Sequence, residues 1–200
     1  MRWGMVIDLK RCIGCYGCQL ACKAENGTPP GVYFARVLKR EEGTYPMASA
    51  ITLPVLCNHC DEAPCVDVCP TGASFKWEDG IVDIDHDLCV GCRSCMVACP
   101  YTNRYFNDQD PSYFPQGPTP YDSARTAQYQ QNVVMKCNFC RDRVRAGGVP
   151  ACVANCPTIA RIFGDLDDPN SEVSRLIKER GGFTLHPELG SGPNVYYLPA

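Results

Sequence analysis

Two hundred residues suit one or two domains. With 19 basic against 22 acidic residues and a net charge of −3, the chain carries no basic excess of the kind that binds nucleic acid. Sixteen cysteines, with seventeen each of glycine and proline, leave a loop-rich chain, and no apolar run approaches the ~20 residues of a membrane span.

The start, Met1 to Asp8, runs directly into a strand-like segment at residues 5–9 (MVIDL), leaving no room for a secretory or twin-arginine leader. The first cysteine group follows: Cys12, Cys15, Cys18 and Cys22. Residues 23–50 read as a connecting arm, with Pro29-Pro30-Gly31 and a charge run, Lys39 to Gly43, expected to be a solvated loop. The second group is Cys57, Cys60, Cys65 and Cys69. Between it and the third lies a segment alternating about Asp79-Gly80, a hairpin signal, whose second arm, residues 81–85 (IVDID), feeds Cys89, Cys92, Cys95 and Cys99. Residues 107–134, rich in proline, tyrosine and glutamine, lack clear periodicity; covering a cluster, meeting a partner and forming a plain surface loop all stay open. The fourth group is Cys137, Cys140, Cys152 and Cys156. The excursion after Cys140 carries Arg141, Arg143 and Arg145, read as a solvated positive face or, second, as a docking patch for an acidic partner. Asn170 to Gly182 reads as a short amphipathic helix, with a polar start and a glycine end. Pro193 to Leu198 reads as an extended strap with its aromatics packed on the core.

The first and third groups have the spacing C-x2-C-x2-C-x3-C found in cluster-binding ferredoxins, and Cys69, Cys99 and Cys156 each precede proline, as the fourth ligand does there. Three thiolates two residues apart grip three corners of one iron–sulfur cube. The fourth, three residues on, has entered a helix and serves a second cluster. The groups account for all sixteen cysteines. Disulfides are disfavoured by the close spacing and the missing leader, zinc by overcrowding of a tetrahedral site, and a thioredoxin-type motif by four quartets where one pair would serve. Four [4Fe-4S] clusters are therefore expected as cofactors, replacing part of the hydrophobic core.

Cys65-Val66-Asp67-Val68-Cys69-Pro70-Thr71 matches Cys152-Val153-Ala154-Asn155-Cys156-Pro157-Thr158, and Asp8 and Asp85 stand alike before their groups. The chain is thus an internal duplication. The short link pairs the second group with the third, in a unit spanning residues 51–106. By elimination the first and fourth form a discontinuous unit, residues 1–50 with 135–165, leaving an insertion at 107–134 and a C-terminal helix and tail at 166–200. The fold class is α+β: two nested, bacterial-type dicluster ferredoxin-like units with short strands, short helices, long loops and a C-terminal strap. Exchange of the last cysteines yields four sets: Cys57, Cys60, Cys65 with Cys99; Cys89, Cys92, Cys95 with Cys69; Cys12, Cys15, Cys18 with Cys156; and Cys137, Cys140, Cys152 with Cys22.

Every quartet is complete, so no cluster has an open iron for catalysis, and no P-loop, nicotinamide or flavin motif is present. The expected role is single-electron transfer without catalysis. Gly14, Gly17 and Gly91 let amides approach sulfur. His59 reads as a hydrogen-bond donor or packing residue beside a cluster. Arg93 and Lys136 would raise potentials if they stay close, though surface salt bridging is the plainer use.

The cysteine plan resembles the four-cluster electron-transfer (beta) subunits of the dimethyl sulfoxide reductase family of molybdenum/tungsten enzymes, over nearly the whole chain. Glu42-Gly43-Thr44-Tyr45-Pro46, Phe163 to Pro169, Pro187-Glu188-Leu189-Gly190 and Tyr196-Tyr197-Leu198 look like the polysulfide/thiosulfate reductase branch and the small subunit of pyrogallol–phloroglucinol transhydroxylase. Nitrate reductase relatives have tryptophan at the position of Cys92; the cysteine here implies a cubane. The resemblance implies a large catalytic subunit holding molybdenum on a bis-pterin guanine dinucleotide, facing the first/fourth unit. It also implies a quinone-reactive membrane anchor facing the second/third unit, with no nucleic acid and no membrane span of the chain's own. Placement is then peripheral to the cytoplasmic membrane, with export through the catalytic subunit's leader or a cytoplasmic complex. A structural beta subunit of transhydroxylase or dehydroxylase type and a polyferredoxin of a formate dehydrogenase or hydrogenase remain the alternatives.

Overall fold

The structure is a computed structural model describing residues 1–108, 113–114, 116–117, 119–125 and 131–200. In chain order it contains β1 (Trp3–Asp8), α1 (Gly17–Asn26), β2 (Arg36–Glu42), β3 (Ser49–Val55), α2 (Pro64–Asp67), β4 (Ser74–Lys76), β5 (Val82–Ile84) and α3 (Ser94–Ala98). Then come β6 (Tyr105–Asn107), α4 (Pro120–Arg125), β7 (Val133–Met135), α5 (Arg141–Arg145), α6 (Ala151–Ala154), β8 (Arg161–Asp165), α7 (Glu172–Arg180) and β9 (Val195–Leu198). Short elements and long loops are the α+β content expected of small ferredoxin-like domains.

Met5, Val6 and Ile7 form an unbroken apolar run, suited to a strand covered on both faces, and all three are fully buried. β1 accordingly takes the centre of a three-stranded sheet, antiparallel to β8 and parallel to β9. The register Met5↔Phe163 and Ile7↔Arg161 carries the chain after the fourth cysteine group to the chain before the first, and α1 packs on α6 beside it. The hairpin expected about Asp79-Gly80 is β4–β5, with Phe75 opposite Asp83 and Gly80 at φ +83°. α2 packs on α3, joining the second and third groups.

The charge run of the arm is not a loop. Residues 39–42 lie in β2, which pairs with β3 over seven positions, Lys39 opposite Thr52 and Arg40 opposite Ile51. Cross-strand pairing holds the segment extended, and its charged side chains are exposed on the hairpin. In the insertion, β6 and β7 close the base, with Asn107 opposite Val133. Its described remainder covers the end of α1: Tyr113 Oη donates to the Thr28 carbonyl at 2.8 Å, Arg125 Nη1 to that of Glu25 at 3.1 Å, and Tyr121 Oη to that of Ala24. Residues 109–112, 115, 118 and 126–130 lie outside the described residues.

The C-terminal helix falls within its expected span. The Ser171 hydroxyl accepts the Ser174 amide at 3.2 Å, and Gly181 closes the helix at φ +63°. Its last turn docks through Arg180, ion-paired to the buried Asp8, whose Oδ1 also accepts the amides of Lys10 and Arg11 at 3.1 and 3.3 Å. Burial alone would raise the Asp8 carboxyl, but the hydrogen bond and charge of Arg180 hold it below its ordinary range. A carboxyl depressed in the native state stabilises above its unfolded value of about 4, and the contribution fades as pH falls through the native value. Asp8→Asn keeps the amide acceptor and loses the charge. It is expected to cost about 1–2 kcal/mol at neutral pH, with the gap to wild type closing on acidification; urea denaturation across pH measures it.

Candidate metal centres

Each cysteine loop is shaped by residues in the left-handed region. Gly14 and Gly91 take equivalent places in the first and third groups at φ +65° and +67°, followed two residues later by Tyr16 and Arg93 at +61° and +62°. His59 and Phe139 take equivalent places in the second and fourth groups at +44° and +54°. Such conformations turn successive amides toward a common side, where they can face an anion. Gly91 has a second constraint: a Cβ there would stand 2.2 Å from the Asn132 carbonyl oxygen, whereas at Gly14 it would meet side-chain atoms, the flexible end of Lys39 at 2.6 Å and Thr52 Oγ1 at 3.1 Å. Both alanine substitutions carry the left-handed penalty of about 1–2 kcal/mol. Gly91→Ala must also move backbone, so it is expected to lower iron content and melting temperature measurably more than Gly14→Ala.

Three small cavities are lined by thiols. One holds Cys12, Cys15, Cys18 and Cys156. Another holds Cys57, Cys60, Cys65 and Cys99, and the third Cys69, Cys89, Cys92 and Cys95. Each thus combines three cysteines of one group with the last of another. The remaining four also meet: the Asn26 amide lies 3.5 Å from Cys22 Sγ and 3.9 Å from Cys140 Sγ. Cys22 also feels Cys152 and Cys140 electrostatically, as Cys137 feels Cys22. All sixteen thiols are free. Among the described residues no three His, Cys, Asp or Glu side chains converge tightly enough for a single ion. Thiols spaced around a cavity suit a group in which each ligates a different iron.

Donors already face the sulfurs. The amides of Ser74, Ala160 and Phe139 approach Cys69, Cys156 and Cys137 Sγ at 3.3, 3.2 and 3.4 Å. Burial would raise Cys69, but the Ser74 amide and Thr71 outweigh it and bring the thiol down to about 7. Where burial dominates, with neighbouring thiolates adding to it, Cys60 is pushed up to about 12 and Cys137 well above its ordinary value.

Three cations are buried here: Arg104, Lys136 and Arg161, at 4, 5 and 2 % exposure. Arg104 Nη2 donates to Cys65 Sγ at 3.0 Å and Nη1 to the Ser74 hydroxyl at 2.7 Å. Arg161 lines the Cys12 cavity and reaches Cys152 Sγ at 3.7 Å. Lys136 donates to the Val82 and Cys137 carbonyls, so the surface salt bridge expected of it is not its role. Among the described residues none of the three is ion-paired to a carboxylate, and Arg104 Nε and Arg161 Nη2 have no partner. A buried cation and an orphaned N–H are both costly. Anionic, sulfur-rich groups in the thiol-lined cavities would answer both, so the residues present fit iron–sulfur clusters.

Among the described residues Arg93 forms no salt bridge either; its guanidinium lies 3.7 Å over the Phe106 ring. The arginines of the fourth group do not form a free positive face. Arg141 pairs with Asp83, Arg143 with Glu25 at 3.2 Å, and Arg145 sits 4.5 Å over Trp77, 4.0 Å from Asp79. They clamp α5 to the β4–β5 hairpin and α1. His59 packs, as one of its expected uses had it: fully buried, its Nδ1 accepts the Val82 amide at 3.1 Å. Burial, with Lys136 and Arg104 nearby, keeps it neutral. Arg104 and Arg161 are the residues that sequence reasoning missed. A signal existed: each stands five residues after a cysteine that precedes proline, Cys99 and Cys156.

Small cysteine-lined domains of this kind define an iron–sulfur electron carrier. A 4Fe-4S dicluster domain model matches residues 48–114 and 115–166, and a 4Fe-4S binding domain model matches residues 3–24. The chain is 43 % identical to the arsenate respiratory reductase iron–sulfur subunit of Shewanella sp., over 99 % of this chain and 96 % of that one. It is 41 % identical to a sulfite dehydrogenase subunit of Allochromatium vinosum, covering 98 % and 82 % respectively. A selenate reductase subunit of Mesobacillus selenatarsenatis is also 41 % identical, covering 99 % and 72 %. The chain belongs to the iron–sulfur beta subunits of the dimethyl sulfoxide reductase family, built from 4Fe-4S dicluster domains. It is an electron-transfer subunit, not the catalytic one, of an oxidoreductase complex, and [4Fe-4S] clusters are its cofactors. Its partner is a catalytic subunit. Among the described residues no helix is long and apolar enough to cross a membrane.

Proposed function

We propose that the chain relays electrons along four clusters in a single row, held in order by Cys12, Cys15, Cys18 and Cys156; Cys137, Cys140, Cys152 and Cys22; Cys57, Cys60, Cys65 and Cys99; and Cys89, Cys92, Cys95 and Cys69. Residues 1–50 with 135–165 form one dicluster unit and 51–106 the other, with 107–134 inserted and 166–200 strapped across. The observation that carries this reading is the exposure along the row: the two exposed cysteines, Cys15 and Cys92, lie in the outer sets, which hold one buried cysteine each, Cys18 and Cys95, whereas the inner sets hold five, Cys22, Cys137, Cys152, Cys57 and Cys60. Arg161 supports adjacency of the first two sets, and Arg104, near both Cys65 and Cys95, that of the last two. Exposed apolar residues adjoin both ends: Ile13, Leu20 and Ile159 by the first set, Leu88, Val90 and Val97 by the last. Such faces suit protein partners.

A bound cluster supplies one-electron exchange. The chain's own residues fix spacing, exclude water and donate to sulfur. One end faces a bis-pterin molybdenum subunit and the other a quinone-reactive membrane anchor, which places the complex at the cytoplasmic membrane, on the face the catalytic subunit's leader dictates. The test is purification with whatever partners accompany the chain. About sixteen irons per chain in four cubanes, four one-electron signals at distinct potentials and a co-purifying pterin subunit are expected. Two or fewer clusters in fully loaded protein would overturn the relay, and a hydrogenase in place of the pterin subunit would overturn the partner assignment.

A further inference from the structure

The duplication brings two equivalent loops face to face. Cys57-Asn58-His59-Cys60 and Cys137-Asn138-Phe139-Cys140 share spacing and asparagine, and His59 and Phe139 both adopt left-handed backbone. Non-glycine residues are held in that region at a cost, and persist where the surroundings over-determine them. Here the two side chains stack on each other, with ring centroids 3.7 Å apart and planes 28° from parallel. Both are buried, at 0 and 1 % exposure. The tail fixes the His59 loop: the Asn194 side chain donates to the His59 carbonyl at 2.7 Å and its backbone amide to that of Asn58 at 2.9 Å. Lys136 and His59 hold Val82 from opposite sides, one at its carbonyl and one at its amide. Phe139 leans on Phe163 edge-on at 5.3 Å.

The pair is equivalent in position but not in chemistry. With Nδ1 accepting from Val82, neutral His59 carries its proton on Nε2, and that buried atom has no partner among the described residues. Phe139 has no such donor. We infer that the His59–Phe139 stack is the junction at which electrons cross between the two dicluster units, with His59 a positioning residue whose Nε2–H is reserved for sulfur of the cluster on its own side. The inference rests on the cluster assignment proposed above. A hydrogen bond to sulfur favours the reduced, more negative cluster, so the junction both closes the gap between the inner clusters and offsets their potentials. Ring packing matters because electron transfer through an unfilled gap decays more steeply than through packed atoms.

The experiment uses the complex with its partners. Potentials are read by EPR titration, and the spread of electrons among clusters by rapid freeze-quench after a photoreduction pulse. His59→Phe keeps two rings in contact and is expected to lower the potential of only the cluster that Cys60→Ser abolishes. Phe139→His, the mirror change, is expected to raise that of the cluster lost in Cys140→Ser. Phe139→Ala opens the stack and is expected to slow transfer between the pairs and weaken magnetic coupling between the inner clusters. Phe139→Leu, which retains most of the volume, provides the milder version if the alanine variant loads poorly. Unmoved potentials in both ring exchanges, with wild-type transfer in the leucine variant and four clusters present, would overturn the inference. Fewer than four clusters in the wild-type chain would instead refute the assignment beneath it, so the two failures are distinguishable.

Discussion

Serine at Cys22 is expected to extinguish the same EPR signal as serine at Cys152, and a different one from serine at Cys18. Cys18 and Cys22 are one helical turn apart on α1, yet Cys18 belongs with the cavity completed by Cys156 while Cys22 meets Cys140 and Cys152. Each substitution should remove about a quarter of the iron, four atoms of one cubane. In the proposed row Cys22 and Cys152 both belong to an inner set, so either substitution should interrupt throughput from end to end while leaving the outer clusters reducible from their own sides. If Cys18→Ser and Cys22→Ser abolished the same signal, the first group would hold one cluster by itself and the crossed pairing would fail.

The second large effect concerns Arg161. Its guanidinium is buried, lines the first cavity and reaches Cys152 Sγ, in the proposed assignment a ligand of the neighbouring set. Arg161→Met removes a positive charge that reduction would otherwise feel at two clusters. At separations of roughly 5–8 Å and an effective dielectric of about 20, the interaction is about 2–3 kcal/mol per electron. That is on the order of 100 mV for a one-electron couple. Both potentials of that pair should fall, with those of the other pair nearly unmoved, and Arg161→Lys should restore part of the shift. Redox titration followed by EPR checks it; equal shifts in all four clusters would show a general loosening and not a local charge.

The contrast between Arg161 and the cysteines explains what could be read in advance. Cysteine spacing is local chemistry: Cys12, Cys15 and Cys18 announce a shared ligand within seven residues. The strand at Met5, the Asp79-Gly80 turn and the helix after Ser171 likewise depend on near neighbours. Arg104 and Arg161 were passed over because their place five residues after a Cys-Pro cysteine does not by itself show that their counter-charge is a cluster sulfur. Arg143 and Arg145 were misread for the same reason, since Glu25 and Asp79 are remote in sequence. The β2–β3 hairpin was missed because Lys-Arg-Glu-Glu has poor strand propensity and is held extended by Ala50, Ile51 and Thr52 opposite.

The parallel pairing of β9 with β1 has a consequence for how the molecule is made. β1 is translated long before its two neighbours, β8 and β9. Asn194, which secures the His59 loop, directly precedes β9, and Tyr197, whose hydroxyl reaches the Pro54 carbonyl at 2.9 Å, lies within it, so both arrive at the same late stage. Co-translational delivery of iron would therefore meet an open nascent polypeptide. The earliest thiols stay uncovered until the closing strand is in place.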